Sequence, residues 1–228
     1  MFSTRSRAYY INSAGSMVGS CKPTTCTNFL EEDVMNLQQA LAFLAGLKPV
    51  PLSDQIEMPI KDRYEFEDLI DAGCRKWRNT APLPLPPMLM FDTITELSKT
   101  GGEHGKGFGV AELNLKPDHW FFACHFLGNP LMPGCLGLDG TWQAAGFLLQ
   151  WLGGRGTEGM ATGLSKLKLR GKIRPTNKLV KYRVDVKRPS FKPEKSYIVV
   201  DATVMCDGAP VYMLEDLMVF VMPGEKQA

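Results

Sequence analysis

The stretch Trp120-Phe-Phe-Ala-Cys-His-Phe-Leu-Gly-Asn-Pro-Leu-Met-Pro-Gly-Cys-Leu-Gly-Leu-Asp139 runs without a break into an apolar segment that ends at Trp151. Pro133-Gly134 before this segment and Gly153-Gly154 after it are the punctuation expected at the two ends of a helix, which predicts one from about Cys135 to Leu152. Trp142, Phe147, Leu148, Leu149 and Trp151 spread around its circumference, so it should be buried on nearly every side. Such a helix needs a cover.

Working outward, the C-terminal third supplies that cover. Val180, Tyr182, Val184 and Val186 alternate with Lys181, Arg183, Asp185 and Lys187, giving a strand with one apolar face. Leu167 and Leu169 alternate with Lys166, Lys168 and Arg170, and Ile198, Val200, Ala202 and Val204 repeat the pattern. Asp207-Gly208 is a hairpin turn, with a return strand over 211–221. Strands joined by turns form an antiparallel sheet covered on one face, so the class is α+β, a sheet curled around one buried helix.

Upstream, residues 88–97 and 106–115 read as two further strands around a Gly-rich turn. The segment 82–87 is rich in proline and must run extended. A short helix is expected over 64–72, closed by Gly73, and another over 29–45, opened by Asn28 and Glu31 at capping-box spacing. Residues 1–62 are read as an extension of unknown role and 63–228 as the main domain.

Of the 228 residues, 44% are hydrophobic and 22% charged, and the formal net charge is +2, which argues against nucleic-acid binding. No uninterrupted apolar run is long enough to span a membrane. The six cysteines are scattered and form no C-x-x-C pair, as expected for reduced thiols in a cytoplasmic compartment. Residues 1–30 carry basic but no acidic side chains, which fits an organelle transit peptide or a plain tail.

His125 and Asp139 are the candidate chemistry. In apolar surroundings each loses hydration, which favours the neutral forms: an imidazole able to act as base and a carboxylic acid able to give up a proton. Between them, two prolines and several glycines let the backbone turn closely around a ligand. The unpaired N–H groups of the helix's first turn, Gly134 foremost, then suit a carbonyl oxygen that gains negative charge. Gln143, one turn after Asp139, could hold its orientation. Base and acid together suit loss of water from a 3-hydroxyacyl compound, while a core histidine and a helix-capping aspartate are the plain alternative. No metal-ligand spacing involves His104, His119 or His125, so no metal or cofactor is expected. Cys124 and Cys135 are read as small buried hydrophobes beside the site.

The run from His125 to Gly134, with Cys135-Leu-Gly-Leu-Asp139 and Trp142-Gln143, closely resembles the bacterial 3-hydroxydecanoyl acyl-carrier-protein dehydratase/isomerases. The resemblance extends from about Met88 to Asp216-Leu-Met-Val, and the first 60 or so residues match nothing in it. It implies a hotdog fold and a homodimer that acts on a 3-hydroxyacyl chain of about C10 borne by acyl carrier protein. His125 would abstract the C2 proton, Gly134 would hold the thioester carbonyl, and Asp139, reaching in from the partner subunit, would protonate the 3-hydroxyl. The trans-2 product would then be isomerised to cis-3, a step that Asp rather than Glu at 139 favours. Phe126, Leu131 and Trp142 are candidate tunnel residues and Cys135 a supporting one. Lys187, Arg188 and Lys192, in one strand-to-strand connection, are candidates for contact with the acidic carrier. The competing readings are a dehydratase without isomerase activity, a hotdog thioesterase and a non-catalytic acyl-binding protein.

Overall fold

A computed structural model describes residues 44–224 and two short paired strands near the N-terminus, β1 (Tyr9–Ile11) and β2 (Met17–Ser20). All but the last two residues of the helix expected over 29–45, and all of its capping box, lie outside the described residues.

Three helices follow: α1 (Phe66–Gly73), α2 (Trp120–Cys124) and α3 (Gly134–Trp151). Seven strands form one antiparallel sheet: β3 (Thr93–Ser98), β4 (Phe108–Asn114), β5 (Glu158–Gly163), β6 (Lys166–Leu169), β7 (Leu179–Ser190), β8 (Ser196–Cys206) and β9 (Ala209–Met222). The order is β3-β4-β7-β8-β9-β5, with β6 also on β9, so β5 and β6 share one side of that long strand. The sheet curls around α3, whose Ala145, Leu148 and Leu149 are fully buried. Val180, Tyr182, Val184 and Val186 are fully buried too, as their alternation predicted. Each large apolar side chain so buried contributes about 1.5–3 kcal/mol.

Two features of α3 let sheet and loop come close. Gly137 and Gly140 carry no side chain where Tyr212 and Tyr182 press against the helix; a Cβ on Gly140 would lie 2.8 Å from the Tyr182 ring. On another face, Gln150 pairs with the N–H and C=O of Ala81, and Gln143 accepts from Met90 N–H and donates to Met88 C=O. The proline-rich segment lacks donors of its own for a strand ladder, so these two amides tie it to the helix.

Several expectations shift. Residues 88–92 are not in a strand: Met88 and Leu89 N–H bond back to Leu85 C=O, and Met88 C=O and Met90 N–H bond to Gln143; the strand starts at Thr93. Gly73 does not close α1 by a left-handed turn: the helix includes it, and Arg75 takes the positive φ, 59°. Strand β5 has no alternation to reveal it, since its two glycines and full exposure leave no apolar face. Leu167 and Leu169, expected to face inward, are exposed; Leu169 lies over Gly134 at the rim of the sheet. Residues upstream of the expected boundary at 62/63 are bonded into the same body, Val50 N–H to Cys74 C=O and Ile56 N–H to Lys76 C=O.

Candidate active site

His125 terminates α2 and opens a tight turn. The N–H of Phe126 donates to Asn129 C=O and the N–H of Asn129 returns the bond to Phe126 C=O, while Gly128 supplies the positive φ of 76° that closes the turn. The chain then runs back along His125: Leu131 N–H donates to His125 C=O, and the imidazole Nδ1 lies 3.1 Å from Leu131 C=O. A carbonyl only accepts, so Nδ1 carries a hydrogen, which selects the tautomer whose Nε2 holds the lone pair. The His125–Phe126 peptide is cis, and the two rings lie 3.9 Å apart.

Pro133 caps α3 without a side-chain bond. Among the described residues the N–H groups of Gly134 and Cys135 have no backbone partner, so the first turn of the helix offers two donors. Leu169 lies over Gly134, and a Cβ there would come within 2.9 Å of its terminal methyl, so a side chain at 134 would push this exposed leucine aside.

Asp139 projects one turn further along. Its Oδ2 accepts from Gln143 Nε2 at 2.6 Å, and Gln143 is itself held by Met88 and Met90, so the carboxylate is fixed through a buried amide. Asp139, Trp142 and Gln143 line a cavity of about 150 Å³ that is bordered by Gly159, Met160 and Ala161 of β5 and by Val219 of β9. The Trp142 indole donates to Met218 C=O, which fixes it in that wall.

One chain does not assemble everything the sequence proposed. Gly134, Gln143, Trp142 and Asp139 share α3, but His125, Phe126 and Leu131 do not line the cavity that holds Asp139. His125 and Asp139 are both only half-buried, so the dry surroundings expected for them are not formed by a single chain. Cys124 and Cys135 are exposed rather than buried, because each faces away from the helix–sheet interface. Phe126 is 54% exposed at the tip of its turn. Lys187 and Arg188 lie within β7 rather than in a connection, and only Lys192 sits in the turn beyond it. Register explains what the sequence could not show about the first two: Lys187 bridges Asp216 at 2.8 Å and Asp201 at 3.4 Å, and Arg188 also faces Asp216.

Residues 83–215 match the model of the FabA-like domain, a span that holds the helix, its turn and most of the sheet. The chain belongs to the FabA-like family. The α+β architecture described above is accordingly the hotdog fold of that family, and the FabA-like hotdog suggests acyl-thioester chemistry of dehydratase or thioesterase type. Among solved structures the chain is similar to the dehydratase heterocomplex ApeI:P from Xenorhabdus doucetiae, with 11% identity over 62% of this chain and 88% of that one and a TM-score of 0.45. It is also similar to an uncharacterized protein from Erwinia carotovora subsp. atroseptica, at 16% identity, 54% and 88% coverage and TM-score 0.37. A putative thioesterase from Shewanella oneidensis matches at 11% identity, 53% and 80% coverage and TM-score 0.35. Among the described residues no helix is long and apolar enough to cross a membrane.

Proposed function

We propose that this FabA-like domain dehydrates a 3-hydroxyacyl chain of about C10, borne by acyl carrier protein, to the trans-2-enoyl thioester and isomerises that product to the cis-3 form, working as a homodimer. The observation that carries the reading is the grouping on either side of one turn: a base at His125, two free N–H donors at Gly134 and Cys135, and a carboxyl at Asp139 held by Gln143.

With the thioester carbonyl on the Gly134 N–H, charge that develops on its oxygen meets a preorganised donor. His125 Nε2 takes the C2 proton, the enolate expels the 3-hydroxyl, and Asp139 in its acid form supplies the proton that lets it leave as water. For isomerisation the same imidazole removes a proton at C4 and returns one at C2.

A second copy of the chain is supported by the open edge. β5 is exposed along most of its length, with Met160 56% exposed, and a strand paired on one side only is a template for pairing on the other. The same strand borders the cavity of Asp139, so a copy docked on β5 would enclose that carboxyl and could bring its own His125 there. The cavity of one chain is about half the lower bound of ligand sites, roughly 300 Å³, in keeping with a site built from two.

The test is incubation with a C10 3-hydroxyacyl thioester and separation of the trans-2 and cis-3 products. Formation of trans-2 alone would remove the isomerase part of the proposal, and formation of neither product would remove it all.

A further inference from the structure

The cavity that holds Asp139 is a slot laid along α3. Asp139, Gln143, Gly146 and Gln150 all line it, and at helical spacing they form one row on the helix. With a rise of 1.5 Å per residue the row is roughly 16 Å long. The proline-rich segment 81–84 faces it, with Gly159 and Ala161 of β5 and Val219 of β9 alongside.

Two buried glutamines of the row fasten that segment to the helix. Gln143 binds Met88 and Met90, whereas Gln150 takes both backbone groups of Ala81, donating to its C=O at 3.1 Å and accepting from its N–H. Ala81 in turn packs on β5, since a Cβ on Gly159 would lie 3.1 Å from the Ala81 methyl. Gln150, Ala81 and Gly159 therefore meet at one end of the slot. Between the two glutamines the row is bare: a Cβ on Gly146 would find its nearest neighbour, a Val219 methyl, 3.7 Å away. The slot thus has a carboxyl at one end, a gap in its middle and an amide clamp at the other end.

We infer that Gly146 and the clamp between Gln150 and Ala81 gauge the length of the acyl chain, Gly146 making room for a tail of about C10 and the clamp stopping much longer ones. The inference rests on the dehydratase reading above, which puts C3 of the substrate at the Asp139 carboxyl. A zigzag of 1.5 Å carbon–carbon bonds advances about 1.25 Å per carbon, so C3 to C10 spans about 9 Å. The helix from Asp139 to Gly146 spans about 10 Å. The end of a C10 tail therefore lies beside Gly146, where any side chain would compete with it. Gln150 is about 6 Å further on, room for roughly four or five more carbons, so a C16 tail meets the clamp. The clamp resists, because moving the Gln150 amide leaves the N–H and C=O of Ala81 buried and unpaired.

The experiment measures kcat/KM for 3-hydroxyacyl thioesters of N-acetylcysteamine with C4, C10 and C16 chains. Gly146→Val should lower the C10 to C4 ratio about tenfold, and Gln150→Ala should raise the C16 to C10 ratio about tenfold, the range by which an apolar pocket discriminates through size. Gly146→Ala, which the open space admits, should shift the first ratio the same way by a smaller factor and serves if the valine variant does not fold. Loss of C4 and C10 turnover in equal proportion at position 146, or a C16 to C10 ratio within about twofold of the unaltered enzyme in Gln150→Ala, overturns the inference. If the unaltered enzyme turns over none of the three, the failure belongs to the dehydratase reading. Calorimetric binding of the saturated C4, C10 and C16 acyl thioesters of N-acetylcysteamine then tests the gauge by itself: affinity should peak at C10 and the variants should move the peak, and an order of affinities that neither position changes refutes it.

Discussion

Mixing two inactive variants tests whether the site is shared between chains. His125→Ala removes the proposed base and Asp139→Asn the proposed acid, and each should lower kcat by about 10²–10⁴-fold, the usual worth of a positioned proton-transfer group. If His125 of one chain works with Asp139 of the other, a dimer with one variant chain of each kind has one site with both groups altered and one site intact. Equal amounts re-associated at random give mixed dimers in half of all pairs, with half of their sites intact, so the mixture should regain about a quarter of the unaltered activity. The structural basis is that Asp139 lines a cavity open at the β5 edge, while His125 of the same chain is not in its wall. The assay is enoyl thioester formation after co-refolding or co-expression, with each variant alone as baseline. Activity that stays at the baseline of the single variants, while light scattering shows mixed dimers, would refute the shared site and return both groups to one chain.

Three further outcomes follow from the geometry. Gly140→Ala should destabilise the domain by about 1–3 kcal/mol despite alanine's better helix propensity, because its Cβ would meet the Tyr182 ring at 2.8 Å and Met90 Cβ at 2.9 Å; Gly146→Ala, whose nearest neighbour is 3.7 Å away, should instead stabilise by up to about 1 kcal/mol, and denaturant midpoints decide both signs. Burial works against ionisation of Asp201, but the Asp216 N–H, His104 and Lys187 outweigh it and hold the carboxyl below the ordinary carboxylate range. A folded value below the unfolded one gives stability that is present above about pH 4 and lost as pH falls through the folded value, so Asp201→Asn should flatten acid unfolding in that window, as read by circular dichroism. Burial also pushes the Cys206 thiol up to about 11, so at pH 8 mass-mapped alkylation should reach the exposed Cys124 readily and Cys206 only after unfolding.

Much of the architecture can be read from local pattern. The alternation at Val180, Tyr182, Val184 and Val186 states which face of β7 is covered, and the all-round apolar helix bounded by Pro133-Gly134 and Gly153-Gly154 states what covers it. His125, Gly134 and Asp139 stand out in the sequence as the ionisable and Gly-punctuated positions of an otherwise apolar stretch, and the proposed function builds on them. Gln143 was found by helical spacing alone, and its 2.6 Å bond to Asp139 lies where that spacing put it. Strand β5 was not legible: Glu158-Gly-Met-Ala-Thr-Gly163 has no apolar face, and it is a strand only because β9 is long enough to pair with both it and β6.

The sequence by itself determined the fold class and the buried helix, because each depends on what a segment a few residues long must bury or expose. Tertiary structure alone decided which charges meet. Lys187 and Arg188 lie some 30 residues from Asp216, and strand register brings them together. It also decided that Asp139 is half-exposed at an open edge of the sheet, since exposure there is set by a strand distant in sequence that leaves one side of the carboxyl uncovered.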